Sequence, residues 1–200
     1  MIKNVVFDIG NVLADFNIMG FLGAKGFDPV MIKRILKASA LSPYWEQFER
    51  DEINEEEALA LFASIDPEIE EALDKAFSNI DGMITPRDFA IPLVKGLKEA
   101  GYNVYYLSNY SRKAYNECKD SIEFMKYTDG GVLSFQAKMS KPDPAMYKLF
   151  LEKFGLVAGE TLFVDDTAEN VEAAKALGFN GIVFETYEKM IEEFRENGIN

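Results

Sequence analysis

The sequence predicts an α/β fold, a doubly wound parallel sheet with a helical lobe inserted after its first strand. Three observations lead there. Short β-rich runs recur: "IKNVVFDI" (2–9), "YNVYYLSN" (102–109), "TLFVDD" (161–166) and "GIVF" (181–184). Each is continuously apolar rather than alternating, as a strand buried on both faces should be. Segments with helical spacing lie between them, and strand–helix–strand order implies parallel pairing through crossovers. From about residue 15 to 84 the strand signals stop and only helix patterns remain.

Taken in order, the first strand ends at Asp8 and leads into the insert. There "DPVMIKRILKA", "SPYWEQFE", "NEEEALALFASI" and "DPEIEEALDKAF" read as helices. In the third, Asn54 and Glu57 have the spacing of a capping box, and Ala58, Leu61, Phe62 and Ile65 form a buried stripe. After the insert, "TPRDFAIPLVKGLKEAG" reads as one helix, with Thr85 as cap, Pro86 in the first turn and Gly101 at its end. Ala90, Leu93, Val94 and Leu97 share its inner face. "KMSKPDP" is a loop entering a helix, stiffened by its prolines. The acidic "YEKMIEEFRENGIN" reads as a terminal helix. The expected organisation is a core of residues 1–14 and 85–200 with a helical cap over 15–84, and no internal repeat or low-complexity tract.

Composition narrows the functions. A net charge of −13 over 200 residues argues against nucleic acid or an anionic membrane as partner, since both are bound mainly through Lys and Arg. The expected partner is a small molecule, and the expected state is a monomer or homodimer. There is no His, which removes Ser-His and Cys-His catalysis and His-ligated zinc. The single Cys118 cannot form an internal disulfide, and Phe124 stands where a cysteine phosphatase would need its phosphate-binding Arg. No apolar run is long enough to span a bilayer and no leader pattern opens the sequence, so a cytoplasmic setting is expected.

In an open parallel sheet ligands bind outside the carboxyl ends of the strands. The polar residues there are Asp8, Ser108 with Asn109, and Asp165 with Asp166, and Lys141 lies in the "KMSKPDP" loop. Each alone has an ordinary reading: Asp8 as a turn cap, "LSN" as a turn, "DDTAEN" as a helix N-terminus, Lys141 as a solvated lysine. Together, carboxylates converging on one edge suit a hard cation such as Mg²⁺, which takes one or two carboxylates along with waters and phosphate. A lysine and a hydroxyl beside such an ion make a phosphoryl site, with Asp8 as carboxylate nucleophile.

The order Asp8, Ser108, Lys141, Asp165-Asp166 resembles the haloacid dehalogenase superfamily over essentially the whole chain, with the insert matching that superfamily's cap and a Rossmann-like core beneath it. "FDIGNVL", "YWEQFERDEIN", "LSNY", "SKPDPAMY" and "FVDDTAENVEAAKALG" are most similar to its bacterial sugar-phosphatase group. The resemblance implies Asp8 as nucleophile and metal ligand, and Ser108 and Asn109 at the phosphoryl oxygens. It also implies Lys141 on both nucleophile and phosphate, Asp166 on Mg²⁺, Asp165 on it directly or through water, and Asn170 supporting the acidic loop.

One position departs from the common pattern. Most phosphatases of the superfamily carry a second Asp two residues after the nucleophile, as acid for the leaving group, and this chain has Gly10. The glycine carbonyl can still bind a metal, but the acid is missing. Glu49 and Arg50 of "FERDEIN" are the cap's candidates for substrate contact, with Trp45 and Phe48 lining the pocket. The expected function is a Mg²⁺-dependent hydrolase of a small phosphomonoester, expected to be a sugar phosphate. Carbon–halogen cleavage, phosphonate cleavage with Lys33 or Lys37, and a catalytically weak binding protein are the rivals that Gly10 leaves open.

Overall fold

A computed structural model describes residues 1–199. Its strands are β1 (Asn4–Phe7), β2 (Ala14–Phe16), β3 (Ile84–Pro86), β4 (Asn103–Ser108), β5 (Gly130–Leu133), β6 (Thr161–Asp165) and β7 (Asn180–Val183). Five of them form one sheet in the order β5-β4-β1-β6-β7, with every pair parallel. β1 is central. From it the chain builds outward first through β4 and β5, then on the other side through β6 and β7, so the strand order switches direction at β1. A ligand crevice is expected at such a switch point.

The continuous apolar runs have the predicted cause. Every residue of β1 and β6 is buried, and alternate side chains enter two different cores. Val5 and Phe7 join one with Val104, Leu162 and Val164, while Val6 joins the other with Tyr105, Leu107 and Phe163. The second core is closed by α9 (Pro144–Phe154) and α10 (Ala168–Ala176), through Tyr147, Phe150 and Ala174.

The insert holds α1 (Ile18–Ala24), α2 (Pro29–Ala38), α3 (Trp45–Glu49), α4 (Glu55–Ile65) and α5 (Glu70–Phe77). Asp28 caps α2 through two backbone N–H groups, and the Asn54–Glu57 capping box is present in both directions. Ala58 and Phe62 are buried as expected, but Ile65 is exposed, because α4 ends there and its last turn passes beyond the cover of α5. Phe62, Leu73 and Ile35 belong to the same continuous core as Phe7 and Val164, so the lobe packs as an extension of one sheet face.

Two expectations need correction. Thr85 and Pro86 do not open a helix: they lie in β3, which pairs antiparallel with β2, Asp15 opposite Thr85. That ribbon carries the chain into and out of the lobe, and Arg87 ties it down by bonding Asp15 and the carbonyl of Val12. The following helix, α6, starts only at Ala90 (Ala90–Glu99), although Ala90, Leu93, Val94 and Leu97 form its buried face as predicted. The remaining helices are α7 (Arg112–Glu117), α8 (Ser134–Ala137) and α11 (Tyr187–Glu196).

Strand β5 was not expected, because "DGGVL" looks like a turn. Its glycine has a packing reason. A Cβ on Gly131 would fall 2.2 Å from Cδ2 of Tyr106 on the neighbouring strand, at the stem of the ring where no small rotation relieves it. Gly131→Ala is therefore expected to destabilise the fold by about 1–3 kcal/mol, the usual cost of overpacking. Urea unfolding of Gly131→Ala, alone and with Tyr106→Ala, checks this: the second change is expected to shrink the cost of the first.

Candidate active site

The sheet register fixes what meets at the switch point. Phe7 aligns with Val164 on one side and Tyr106 on the other, so Asp8 and Asp165, one residue beyond, and Ser108, two beyond Tyr106, end their strands at the same edge. The N–H of Asp8 bonds the carbonyl of Val164, 2.8 Å away, and holds Asp8 level with the acidic pair. One carboxylate oxygen from each of Asp8, Asp165 and Asp166 lies within 4.8 Å of the others.

Lys141 lies between two of them. Its Nζ is 2.7 Å from Asp8 Oδ1 and 2.6 Å from Asp165 Oδ2, and all three side chains are buried. Asn109 positions the lysine through its backbone: the amide oxygen accepts from Lys141 N at 2.8 Å, and the amide nitrogen donates to Lys141 O at 3.0 Å. The Asn109 side chain, expected at the phosphoryl group, thus holds the loop that carries Lys141. Asp143 caps the helix that follows, α9, by accepting from Ala145 N.

The two acids of "VDD" differ. Asp165 is fully buried and its oxygens accept from Lys141 Nζ, Thr167 N and, at both oxygens, Asn170 Nδ2. Asn170 therefore supports the acidic loop through Asp165. Asp166 lines a cavity of about 200 Å³ together with Asp8 and Gly10, and accepts from Asn11 Nδ2. Asn11 was not singled out in the sequence. It adopts the left-handed backbone conformation (φ 56°) that Asn tolerates, and also accepts from Phe16 N, which fixes the turn after the strand.

Burial raises the Asp8 carboxyl above its ordinary range, against the pull of Lys141, and Asp165 adds to the rise. Lys141 is opposed by the same burial, but Asp8 and Asp165 outweigh it and keep its pKa above the usual value. The cluster holds three carboxylates against one ammonium. Asp8 Oδ1 makes the ion contact with Lys141 out of hydrogen-bond alignment and has no donor. A buried carboxylate oxygen without a donor, next to an acid open to the cavity, is a donor set that fits a hard divalent cation.

The lobe supplies the rest of the cavity wall. Trp45 and Glu49 of α3 line it, with Phe16, Met83 and Ile84 in and beside the ribbon and Tyr110 and Ser111 from the core. Arg50 does not reach this cavity. Its guanidinium is held outside by Glu46, Glu52 and Ser140, at 3.0, 2.9 and 3.2 Å. Phe48 is buried among the lobe's aromatic rings, packed on Trp45 and Phe62.

Lobe and core are clasped beside the site. Ser134 Oγ donates to the carbonyl of Glu49, Asp51 pairs with Arg112 and Lys138, and Glu55 reaches the buried Lys113. Asp51, too, adopts a left-handed turn (φ 54°), so the chain reverses and presents its carboxylate to the core. Arg112, without a role in the sequence reading, is thus a docking residue.

A buried carboxylate held by lysine at a sheet's switch point, beneath a lid of helices, is the architecture of an α/β enzyme rather than of a binding scaffold. The chain belongs to the haloacid dehalogenase-like hydrolase family, whose model matches residues 2–178. It is 29% identical over 180 residues to the sesquiterpene phosphatase astK of Aspergillus oryzae, covering 90% of this chain and 88% of that protein. It is 27% identical over 199 residues to the D-ribitol-5-phosphate phosphatase of Bacteroides thetaiotaomicron, covering 90% of each. Among solved structures, a HAD family enzyme of the same bacterium in complex with magnesium and inorganic phosphate superposes with a TM-score of 0.72 at 24% identity, over 95% of this chain and 99% of that one.

The clasp yields a pH prediction. Hydrogen bonds from Arg112, with those from Lys138, hold the Asp51 carboxyl down at about 2, against 3.8 unpaired. A depressed carboxylate stabilises the fold above its unfolded pKa and loses that contribution as pH falls through the folded one. Its partners are about half exposed, so screening limits the effect to about 1 kcal/mol. Asp51→Asn is expected to be less stable than wild type by that amount at pH 6. The gap should close between about pH 4 and 2, measured by urea unfolding across that range.

Proposed function

We propose that the protein is a Mg²⁺-dependent phosphomonoesterase acting on a small phosphorylated substrate through an aspartyl-phosphate intermediate. The observation that carries this reading is the pairing of Asp8 with Lys141 at the switch point, next to an acid that opens into the cavity. Asp8 is the nucleophile. Its carboxylate attacks phosphorus, and Lys141, held between Asp8 and Asp165, keeps the nucleophile oriented and offsets the charge gathered there. Ser108, buried at the end of β4, is the hydroxyl for a phosphoryl oxygen.

Asp8, the carbonyl of Gly10 and Asp166 are the residues that would hold Mg²⁺. Asp165, whose oxygens are occupied by Lys141, Thr167 and Asn170, supports them from behind. When bound, the ion supplies positive charge to the phosphoryl oxygens. The rest is done by the chain: the lobe excludes water over the cavity, and the Asn109 clamp fixes Lys141.

Both curated relatives are phosphatases by name, and both are covered over most of their length. The magnesium and phosphate complex of the structural neighbour supports the choice of ion. The carbon–halogen rival is disfavoured by the acidic pair, which metal-independent displacement does not need, and the phosphonate rival by the cavity wall, which neither Lys33 nor Lys37 lines. A sugar or sugar-alcohol phosphate is the substrate class proposed from the sequence. A second reading, a phosphate ester with an apolar body, is favoured by Trp45, Phe16, Met83 and Ile84 on the wall opposite the acids. No helix among the described residues is long and apolar enough to cross a membrane, which is compatible with a diffusible substrate.

Phosphate release from D-ribitol 5-phosphate, glucose 6-phosphate, a prenyl monophosphate and para-nitrophenyl phosphate tests this reading. Activity is expected with Mg²⁺, lost on chelation, restored by adding the ion back, and reduced at least about 10³-fold in Asp8→Asn, as for removal of a catalytic nucleophile. Turnover that survives in Asp8→Asn rejects Asp8 as nucleophile.

A further inference from the structure

If the site is a phosphatase, as proposed above, it must protonate a leaving alkoxide, and Gly10 has no side chain to do it. A Cβ at position 10 would meet nothing closer than Phe16 Cβ at 4.0 Å, so the glycine is not forced by crowding. The proton has to come from elsewhere on the cavity wall.

The titratable side chains on that wall are Asp8, Asp166, Tyr110 and Glu49. Asp8 is the nucleophile. Asp166 is bonded by Asn11 and Thr167 and belongs to the cation site. Tyr110 is buried, its hydroxyl is engaged with Ser121, and burial drives its pKa far upward. Glu49 remains. It sits on the lobe and lines the same cavity as Asp8 and Asp166, within the space a bound ester and its leaving group would occupy.

We propose that Glu49 is the general acid–base group of this enzyme, supplied by the lobe in place of the absent acid at position 10. In the first half-reaction a bond forms between Asp8 Oδ and phosphorus, the bond from phosphorus to the ester oxygen breaks, and the Glu49 proton passes to that oxygen to give the alcohol. In the second, water attacks phosphorus, its proton passes to Glu49, and the Asp8–phosphorus bond breaks to release phosphate.

The geometry provides for this. Trp45 Nε1 donates to Glu49 Oε1 at 3.0 Å, one helical turn away, and the carboxylate has no other hydrogen bond among the described residues, so its second oxygen is available to the substrate. Ser134 grips the Glu49 carbonyl at 2.8 Å and pins the end of α3 to the core. Among the charged groups around it, Asp8 and Glu46 favour the neutral form and Lys141 opposes it. Burial is the largest influence and raises the carboxyl, the Trp45 hydrogen bond pulls the other way, and the balance lies at about 7. A group that is part protonated at neutral pH can both give and take a proton.

The test is the dependence on leaving group. A nitrophenolate departs without a proton, whereas phenolate and especially an alkoxide need one. Glu49→Gln, which preserves shape and can still accept from Trp45, is compared with wild type on para-nitrophenyl phosphate, phenyl phosphate and D-ribitol 5-phosphate with Mg²⁺. The measure is kcat/KM, which reports the first half-reaction. The expected loss is under about 5-fold on the nitrophenyl ester and about 10²–10⁴-fold on the alkyl ester, with phenyl phosphate between, the usual scale of general acid catalysis. Retained turnover of the nitrophenyl ester also shows that the variant is folded. An equal loss on all three, or no loss on phenyl phosphate and the alkyl ester, overturns the role of Glu49. Wild-type activity that is metal-dependent and abolished in Asp8→Asn leaves the phosphatase reading standing in either case. A wild type inactive on every ester, or an active Asp8→Asn, overturns both.

Discussion

The ammonium of Lys141, buried between Asp8 and Asp165, is the interaction on which the rest of the site depends. Parallel pairing of β1 with β6 brings two carboxylates to one buried edge, where they would repel each other without a cation between them. Removing one partner of a buried ion pair costs about 3–5 kcal/mol because the other is left uncompensated. The surrounding structure is arranged accordingly. Asn109 grips the Lys141 backbone at both N–H and C=O, and Asn170 and Thr167 absorb what remains of Asp165. Buried ion pairs are seldom a net source of stability, so so many bonds around this one argue for positioning.

That arrangement divides the labour between sheet and lobe. Strand ends carry Asp8 and the acidic pair, and the loop before α9 brings Lys141 between them. The rest of the cavity wall comes largely from α3 and the β2–β3 ribbon. The same ribbon forms the two-stranded connection through which the lobe is attached, while Asp51, Glu55 and Ser134 close it on the core with polar contacts at its rim. Exposed ion pairs are individually weak, so the contacts of Asp51 add orientation at the rim while the shared apolar core holds the lobe.

Sequence made the sheet and its chemistry legible to different depths. Four of the five core strands lie in short continuous apolar runs, which periodicity detects. β5 hides behind Gly130 and Gly131, because the glycine that Tyr106 requires is also the commonest turn residue. The ribbon strands are three residues each and half polar, so Thr85-Pro86 looked like a helix start. At the site, Asp8, Asp165 and Asp166 could be placed because they end strands of known direction, and Lys141 because it lies in a proline-stiffened loop entering a helix. Asn11 could not, since its contribution is a left-handed turn that brings it to Asp166, a backbone property with only a weak signature in Asn. Arg50 was misjudged beside Glu49 because a helix of five residues gave no reliable phase. Consecutive positions on it point about 100° apart, and only one of the two faces the cavity.

The electrostatics of the whole molecule sharpen the case for both a cation and a protonated Glu49. The chain carries a net charge of −13, and no Lys or Arg is among the residues lining the cavity; Lys141 is buried and already shared by two carboxylates. A phosphate monoester entering this space meets Asp8, Asp166 and Glu49. Like unit charges about 4 Å apart cost about 4 kcal/mol each at the effective dielectric typical near protein surfaces, more than a small ligand's polar contacts can return. Three negative groups around a dianion would therefore repel the substrate unless their charge were cancelled. A divalent ion held by Asp8 and Asp166 would offset most of that repulsion, and a proton on Glu49 would lessen the remainder. On the proposed reading, the proton that would ease binding is also the one a departing alkoxide would require, and a side chain at position 10 would not be needed to supply it.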